Sequence, residues 1–412
     1  MNSKGRLRKL VAALAMLGAC AVVVAQTQVF TRAPRVTPGP PPIVPAPASA
    51  FGAPLAGLST AQLQSFADGL EEFTNVDTPD SGLGPIFNNV SCVACHSIPA
   101  AGGGSAILET RFGRLMNGHF DPLTASGGSL LQQSAIAPEC RETVPPEANV
   151  IALRQTTPLF GLGLIEAIPD QAIIRNAQMP QGDRVAGRPS MIVDVASGTV
   201  RVGRFGWKAQ QATILAFAGD AYLNEMGITN RLFPTENAPN GNAALLAQCD
   251  HVADIEDQVD PATGKSDIDR LADFMRLLAA PPQVQLTPAT RSGQDLFART
   301  GCATCHTPSM STGPSDIAAL DRKAVNLYSD LLLHDMGALG DGIGQAAAAP
   351  TEMRTAPLWG LRARGPYLHD GRAATVDVAI RLHDGTAASA RNRYLQLPPN
   401  QQVQLLQFLL SI

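Results

Sequence analysis

Two stretches of the chain read Cys-x-x-Cys-His: Cys92-Val93-Ala94-Cys95-His96 and Cys302-Ala303-Thr304-Cys305-His306. At this spacing two thiols can form thioethers to the vinyl groups of a haem, and the adjoining histidine can bind the iron from one face. A redox dithiol has no need of the histidine, and a zinc site would want a second ligand pair at matching spacing. The two copies use four of seven cysteines and two of seven histidines. Two covalent c-type haems, held by Cys92, Cys95, His96, Cys302, Cys305 and His306, are therefore expected. Redox chemistry at iron comes with them.

Each motif needs elements to hold it. Leu63 to Phe73 shows apolar residues at helical spacing ahead of the first, and Ser292 to Phe297 starts a helix that runs into the second. The string Thr157-Pro158-Leu159-Phe160-Gly161-Leu162 matches Ala356-Pro357-Leu358-Trp359-Gly360-Leu361, as though one unit were duplicated. Its proline-led turn is expected to close over the distal side of a haem. Asn400 to Ile412 reads as a short closing helix, and Pro281-Pro282 marks a boundary. The expectation is a mainly α fold of two cytochrome c-like domains, residues 55–282 and 283–412, each wrapping one haem with long loops. Strand-like runs are few, and Ser190 to Val202 is the best of them.

The N-terminus indicates the compartment. Lys4, Arg6, Arg8 and Lys9 precede an apolar run from Leu10 to Ala25, which ends in small residues. This predicts a signal peptide over residues 1–25 and a periplasmic or secreted protein. The run is short for a stable membrane span. Leu17-Gly18-Ala19-Cys20 loosely resembles a lipobox and offers lipoprotein anchoring as the lesser alternative. Residues 26–54 are proline-rich and read as an extended linker. Cys140 and Cys249 then remain, either paired in an oxidising compartment or as separate buried thiols. The formal net charge is −4, and the signal segment carries four of the 31 basic residues and no acidic one. That balance argues against nucleic acid as a partner and leaves room for a small electron-donor protein.

Six separated strings resemble a known group. They are Gly84-Pro85-Ile86-Phe87-Asn88, the run from Phe160 to Pro169, Gly203-Arg204-Phe205-Gly206-Trp207-Lys208-Ala209, Glu225-Met226-Gly227-Ile228-Thr229-Asn230, Leu333-His334-Asp335-Met336-Gly337 and Tyr367-Leu368-His369-Asp370-Gly371-Arg372. Together they resemble the bacterial di-haem oxidoreductases, and more remotely the di-haem cytochrome c peroxidases, MauG-type enzymes and rubber oxygenases. The resemblance implies haems facing a common interface and work on hydrogen peroxide or dioxygen. It also implies a cytochrome c or cupredoxin as electron donor.

Axial ligands decide what each iron does, since two strong protein ligands favour electron transfer and an open face admits peroxide or oxygen. In the remote peroxidases a methionine ligand lies fourteen residues beyond the His-Asp-Gly histidine. Fourteen residues beyond His369 stands His383. The resemblance thus favours His306/His383 for the second iron, over Met336, Met353, His334 or His369. After the first motif no histidine occurs before His119. The intervening Ala101-Gly102-Gly103-Gly104-Ser105 reads as a mobile loop, so the first iron is expected to have an open distal face. Glu166 is expected to handle protons there, and Trp207 to lie between the haems. His334 with Asp335 reads either as a supporting pair or as a holder of a haem propionate, and Arg362, Arg364 and Arg372 as partners for propionates. Relatives hold an inter-haem calcium with backbone carbonyls where Arg364 and Pro366 stand, and no carboxylate loop of calcium-binding type is seen. The leading expectation is a peroxidase-like enzyme in which electrons pass from the C-terminal to the N-terminal haem. The alternatives are a pure electron carrier and an oxygenase acting on an organic substrate.

Overall fold

Helix α1 (Thr60–Thr74) starts where Ser59 and Gln62 cap each other, side chain to backbone, in both directions. Its apolar face, led by Phe66 and Phe73, packs on α7 (Asp267–Leu277), where Phe274 meets Phe73 with ring centres 4.6 Å apart. The same arrangement recurs later in the chain. Helix α8 (Pro288–Arg299) packs on α11 (Pro399–Leu409), and Phe297 meets Phe408 at 5.5 Å. Both helix pairs cross at a glycine four residues before the phenylalanine. A Cβ on Gly69 would lie 2.3 Å from the Arg270 carbonyl oxygen, and one on Gly293 would lie 2.1 Å from that of Gln404. The helices touch backbone to backbone, which only glycine allows. Gly293→Ala should therefore force the helices apart and cost about 1–3 kcal/mol, the usual range for overpacking. Thermal unfolding checks this, and an unchanged midpoint would show the crossing to be loose.

The structure, a computed structural model, describes residues 51–178 and 187–412. The expected signal segment with Cys20 lies outside the described residues, as does most of the proline-rich stretch 26–54. The other helices among the described residues are α2 (Cys92–Cys95), α3 (Leu162–Glu166), α4 (Asp170–Gln178), α5 (Ile214–Met226), α6 (Ala243–Cys249), α9 (Val376–Leu382) and α10 (Ala388–Leu395). None is long and apolar enough to cross a membrane.

The chain also builds more sheet than expected. Strand Leu108–Met116 pairs antiparallel with His119–Asp121, Leu130–Leu131 and Val150–Gln155. This strand hides from pattern reading because Glu109 and Arg111, two residues apart on one face, are directed into the protein rather than to solvent. The expected strand from Ser190 is a hairpin, Ser190–Asp194 with Thr199–Gly203.

Two hydrophobic cores follow the two helix pairs. The larger holds Phe66, Phe73, Phe274 and Tyr222, and the smaller Phe297, Tyr328, Tyr394 and Phe408. The larger core also takes in Val325, Leu327, Leu331 and Leu332. Residues beyond 282 thus complete the first half's interior, and the described residues belong to one compact unit. Cys140 and Cys249 form a disulfide across 109 residues of sequence, which decides between the two readings of that pair. It ties the end of α6 to the turn Pro138–Cys140.

Candidate haem sites

The two Cys-x-x-Cys-His motifs fold alike. Each starts a single helical turn, and the histidine amide closes it on the first cysteine's carbonyl, at 3.0 Å for His96 and 2.9 Å for His306. Each imidazole then donates from Nδ1 to a backbone carbonyl, His96 to Gly103 and His306 to Tyr328, both at 3.0 Å. A carbonyl can only accept, so Nδ1 carries the proton and Nε2 keeps its lone pair. Burial lowers the pKa of His96 to about 4 and that of His306 to about 3. Both are neutral, the form that binds a metal.

The carbonyls that aim these rings are themselves fixed by the repeated strings. Leu159 donates its amide to Gly102, the residue before Gly103, and Leu358 donates to Leu327, the residue before Tyr328. Gly161 and Gly360 both adopt left-handed backbone, at φ 74° and 72°. The proline-led turns therefore brace the loops behind the two histidines, which corrects the expectation that they close over distal faces. The loop 101–105 is corrected with them. Gly102 to Ser105 are buried, and Ile98 and Gly104 bond each other in both directions at 2.9 Å.

His306 faces a cavity of about 490 Å³ that also takes in Cys302, Cys305 and His383. His383 ends α9 and donates from Nδ1 to Ala379 at 2.8 Å, so its Nε2 is likewise left as an acceptor. The His306 and His383 ring centres stand 6.5 Å apart. Two imidazoles on opposite sides of one metal, with bonds of about 2 Å, have centres roughly 6 Å apart, so this pair fits an iron between them. One competing side chain is already engaged. His334 is engaged at both nitrogens, with Asp330 at 2.7 Å and the Cys305 sulfur at 3.7 Å. Met336, Met353 and His369 line the cavity wall. The supporting carboxylate for His334 is Asp330, not the expected Asp335, which instead accepts from the Gly337 amide.

The first cavity, about 210 Å³, is lined by Cys92, Cys95 and His96 and by no other histidine. His119 sits exposed on its strand and lines neither cavity. Glu166 does not face this cavity either. Its Oε2 pairs with Arg276 Nε at 2.7 Å and its Oε1 accepts from the Ile214 amide at 2.7 Å, at the start of α5. Glu166 thus stitches α3, α5 and α7 together, and its expected place at the haem is corrected. The apolar neighbours that suggested a buried acid belong to the core.

Three other carboxyls do line the cavity, Glu109, Asp220 and Glu225. Glu109 and Glu225 interact with each other there. Burial pushes Glu109 up, but Arg111, at 2.9 Å, and Arg154 outweigh it and hold Glu109 ionised. Burial and then the Glu109 charge raise Glu225 to about 8. One carboxyl of the pair keeps a proton at neutral pH, and Asn88 fixes Glu225 by a 2.7 Å bond to Oε2. Sequence reading missed both. The available signal was Glu225 near the end of a largely apolar helix, and Glu109 and Arg111 in phase on one strand with Arg154 opposite Glu109.

Trp207 lines both cavities, together with Gln155 and Thr156. Its Nε1 donates to the Gln155 carbonyl at 2.8 Å, and its ring meets that of His369 edge-on at 6.2 Å. Trp359 lines neither and packs over Gly161. Among the arginines expected at propionates, only Arg364 lies in a haem-sized cavity, half-buried, with a buried Nε that has no partner. Arg362 bonds the Pro282 and Ile412 carbonyls, and Arg372 pairs with Asp370 at the surface. Arg354, in the second cavity, and Arg154, in the first with an orphaned Nη2, were not anticipated.

A family profile described as "Di-haem oxidoreductase, putative peroxidase" matches residues 141–412. The chain belongs to this family. A di-haem oxidoreductase holds two haem groups, and the two cavities offer one neutral histidine or a facing pair to each. Among solved structures, a Kuenenia stuttgartiensis hydrazine synthase is similar at 16% identity and TM-score 0.38, covering 96% of this chain and 100% of its own. A MauG-like protein associated with microbial copper homeostasis is similar at 16% identity and TM-score 0.39, covering 90% and 92%. The di-haem peroxidase BthA of Burkholderia thailandensis is similar at 14% identity and TM-score 0.35, covering 84% and 85%. Likenesses at this level decide nothing about chemistry. No curated protein matches the chain.

Proposed function

We propose that this di-haem oxidoreductase is a secreted peroxidase whose two haems are c-type and do different work. Cys302 and Cys305 would hold the second haem by thioethers, and His306 and His383 would both bind its iron, a ligand set that suits electron transfer. Cys92 and Cys95 hold the first, with His96 on one side and no second imidazole in reach. The haem there, when bound, supplies an iron with an exchangeable position that can take up peroxide. The observation that carries this reading is the asymmetry in histidines, a facing pair in one cavity and a single ring in the other.

The surrounding residues have definable tasks. Glu225 holds a proton within the first cavity and can deliver it to a departing oxygen, while Glu109, Arg111 and Arg154 keep the neighbouring charge fixed. Trp207 and Gln155 form the wall that electrons cross between the sites. Arg364 and Arg154 hold haem carboxylates. A small soluble donor protein feeds the second site from outside, and direction of flow follows from which site is open.

Electron paramagnetic resonance of the ferric holoprotein tests this. One low-spin signal of bis-histidine type and one high-spin or water-ligated signal are expected, and cyanide should convert only the latter. Two low-spin signals, both inert to cyanide, would make the protein an electron carrier. Turnover of an organic substrate with dioxygen and none with peroxide would make it an oxygenase. Covalent attachment is checked by Cys92→Ala with Cys95→Ala, which should lose one of two haem-staining equivalents after denaturation.

A further inference from the structure

A cluster of carboxylates lies outside both cavities. Two loops meet there, one after α5 and one after α6, and each loop brings acid side chains to the same point. One oxygen each from Glu236, Asp254 and Glu256 lies within 4.8 Å of the others. Oxygens bound at 2.3–2.6 Å around one calcium are separated by at most about 5 Å, so the spacing is that of a shared ion.

Clustering alone would not make a site, because acidic groups often gather on surfaces. The deciding group is Glu236. It is only 7% exposed. Its Oε1 accepts from the Asn237 amide at 2.6 Å, while its Oε2 is buried and has no partner. The charges that weigh on it, from Glu256, Asp254 and Asp250, are all negative. A buried carboxylate oxygen without a donor, facing further carboxylates, is costly unless a cation or a proton satisfies it, and three converging carboxylates suit a cation. Asp254 is exposed and opens the cluster to solvent. Thr229 adds a hydroxyl beside Glu256 and 3.4 Å from Asp254 Oδ1.

We propose that Glu236, Asp254 and Glu256 bind one hard divalent cation, with calcium preferred over magnesium. Donors that are all oxygen select hard ions, and sulfur-loving metals have nothing to bind. Three carboxylates delivered by two loops suit the adaptable shell of calcium better than the tight octahedron that magnesium demands. The site differs from the inter-haem position implied by resemblance, since it uses neither Arg364 nor Pro366. Its ion would clamp the two loops beside the Cys140–Cys249 disulfide. Asn237 carries that clamp to Asn224 at 3.2 Å, next to Glu225.

The experiment titrates chelator-treated holoprotein with calcium chloride, and separately with magnesium chloride, by calorimetry and thermal unfolding. Wild type should bind calcium with a Kd on the order of 10⁻³ M or tighter, and its melting temperature should rise with calcium. Glu236→Gln should bind one calcium fewer per chain and lose that rise. In chelator it should melt no lower than wild type, because it removes a buried carboxyl oxygen that has no partner without the ion. Asp254→Asn, an exposed change that leaves the fold alone, should weaken calcium binding by about 10-fold or more. Calcium binding by both variants with wild-type stoichiometry and affinity would overturn the site. So would a wild type that binds none. Magnesium bound as tightly as calcium would overturn the preference.

Discussion

Peroxide turnover should fall by about 10²–10⁴-fold in Glu225→Gln, the usual loss when one positioned proton-transfer group is removed. The substitution keeps the length and polarity of the side chain, and its amide oxygen can still accept from Asn88. What disappears is the proton that burial and the Glu109 charge keep on Glu225 up to about pH 8. An acid that must be protonated to act works below its pKa. Wild-type turnover should therefore decline as pH rises through about 8, and the glutamine variant should lack that limb. Cyanide affinity of the ferric protein should stay near wild type, since binding an anion at the open position does not need the acid. A variant with normal turnover and an unchanged pH profile would remove Glu225 from the reaction. Glu109→Gln gives a contrast. It removes the negative charge that raises Glu225, so the alkaline limb should move to lower pH while activity at acid pH persists.

The placement of these groups shows how much of the site was legible in the chain. Short local motifs were readable because their chemistry is local: a Cys-x-x-Cys-His turn needs only five consecutive residues to bring thiols and imidazole together. The repeated Pro-Leu-aromatic-Gly-Leu strings marked equivalent positions, but not which face of a haem they serve. That depends on the amide of Leu159 reaching Gly102 and the amide of Leu358 reaching Leu327, contacts between distant segments. Glu166 misled for a related reason. It stands among core residues, yet whether a buried acid meets a cofactor or an arginine depends on α7, more than a hundred residues away, which brings Arg276. Glu109 was hidden by the ordinary rule that charged strand positions face water. Its strand turns them toward a cavity, where Arg111 and Arg154 compensate them. The carboxylate cluster escaped for the same cause, because no single loop carries all three of its acids.

His383→Met should raise the potential of the second haem, because a thioether favours the reduced iron relative to imidazole. A shift on the order of 0.1 V or more is expected, within the roughly 0.8 V over which axial ligands act. The argument rests on the anchoring of His383: its Nδ1 is held by Ala379 within its own helical turn, and its ring stands 6.5 Å from that of His306. Methionine at this position is long and flexible enough to direct its sulfur to the same point. The low-spin signal should persist with altered g-values, while the first haem keeps its high-spin signal. The consequence for turnover has a definite sign. A second haem of higher potential accepts electrons from the donor more readily and gives them to the first with less drive. The variant should thus reduce faster under donor and transfer more slowly between haems, measured by stopped-flow reduction and single-turnover oxidation with peroxide. An unmoved potential would pass the ligand role to Met336 or Met353, which share the cavity. If instead the variant turns over peroxide at an opened second iron, His383 is what keeps that site closed, and the division of labour between the two haems rests on this one side chain.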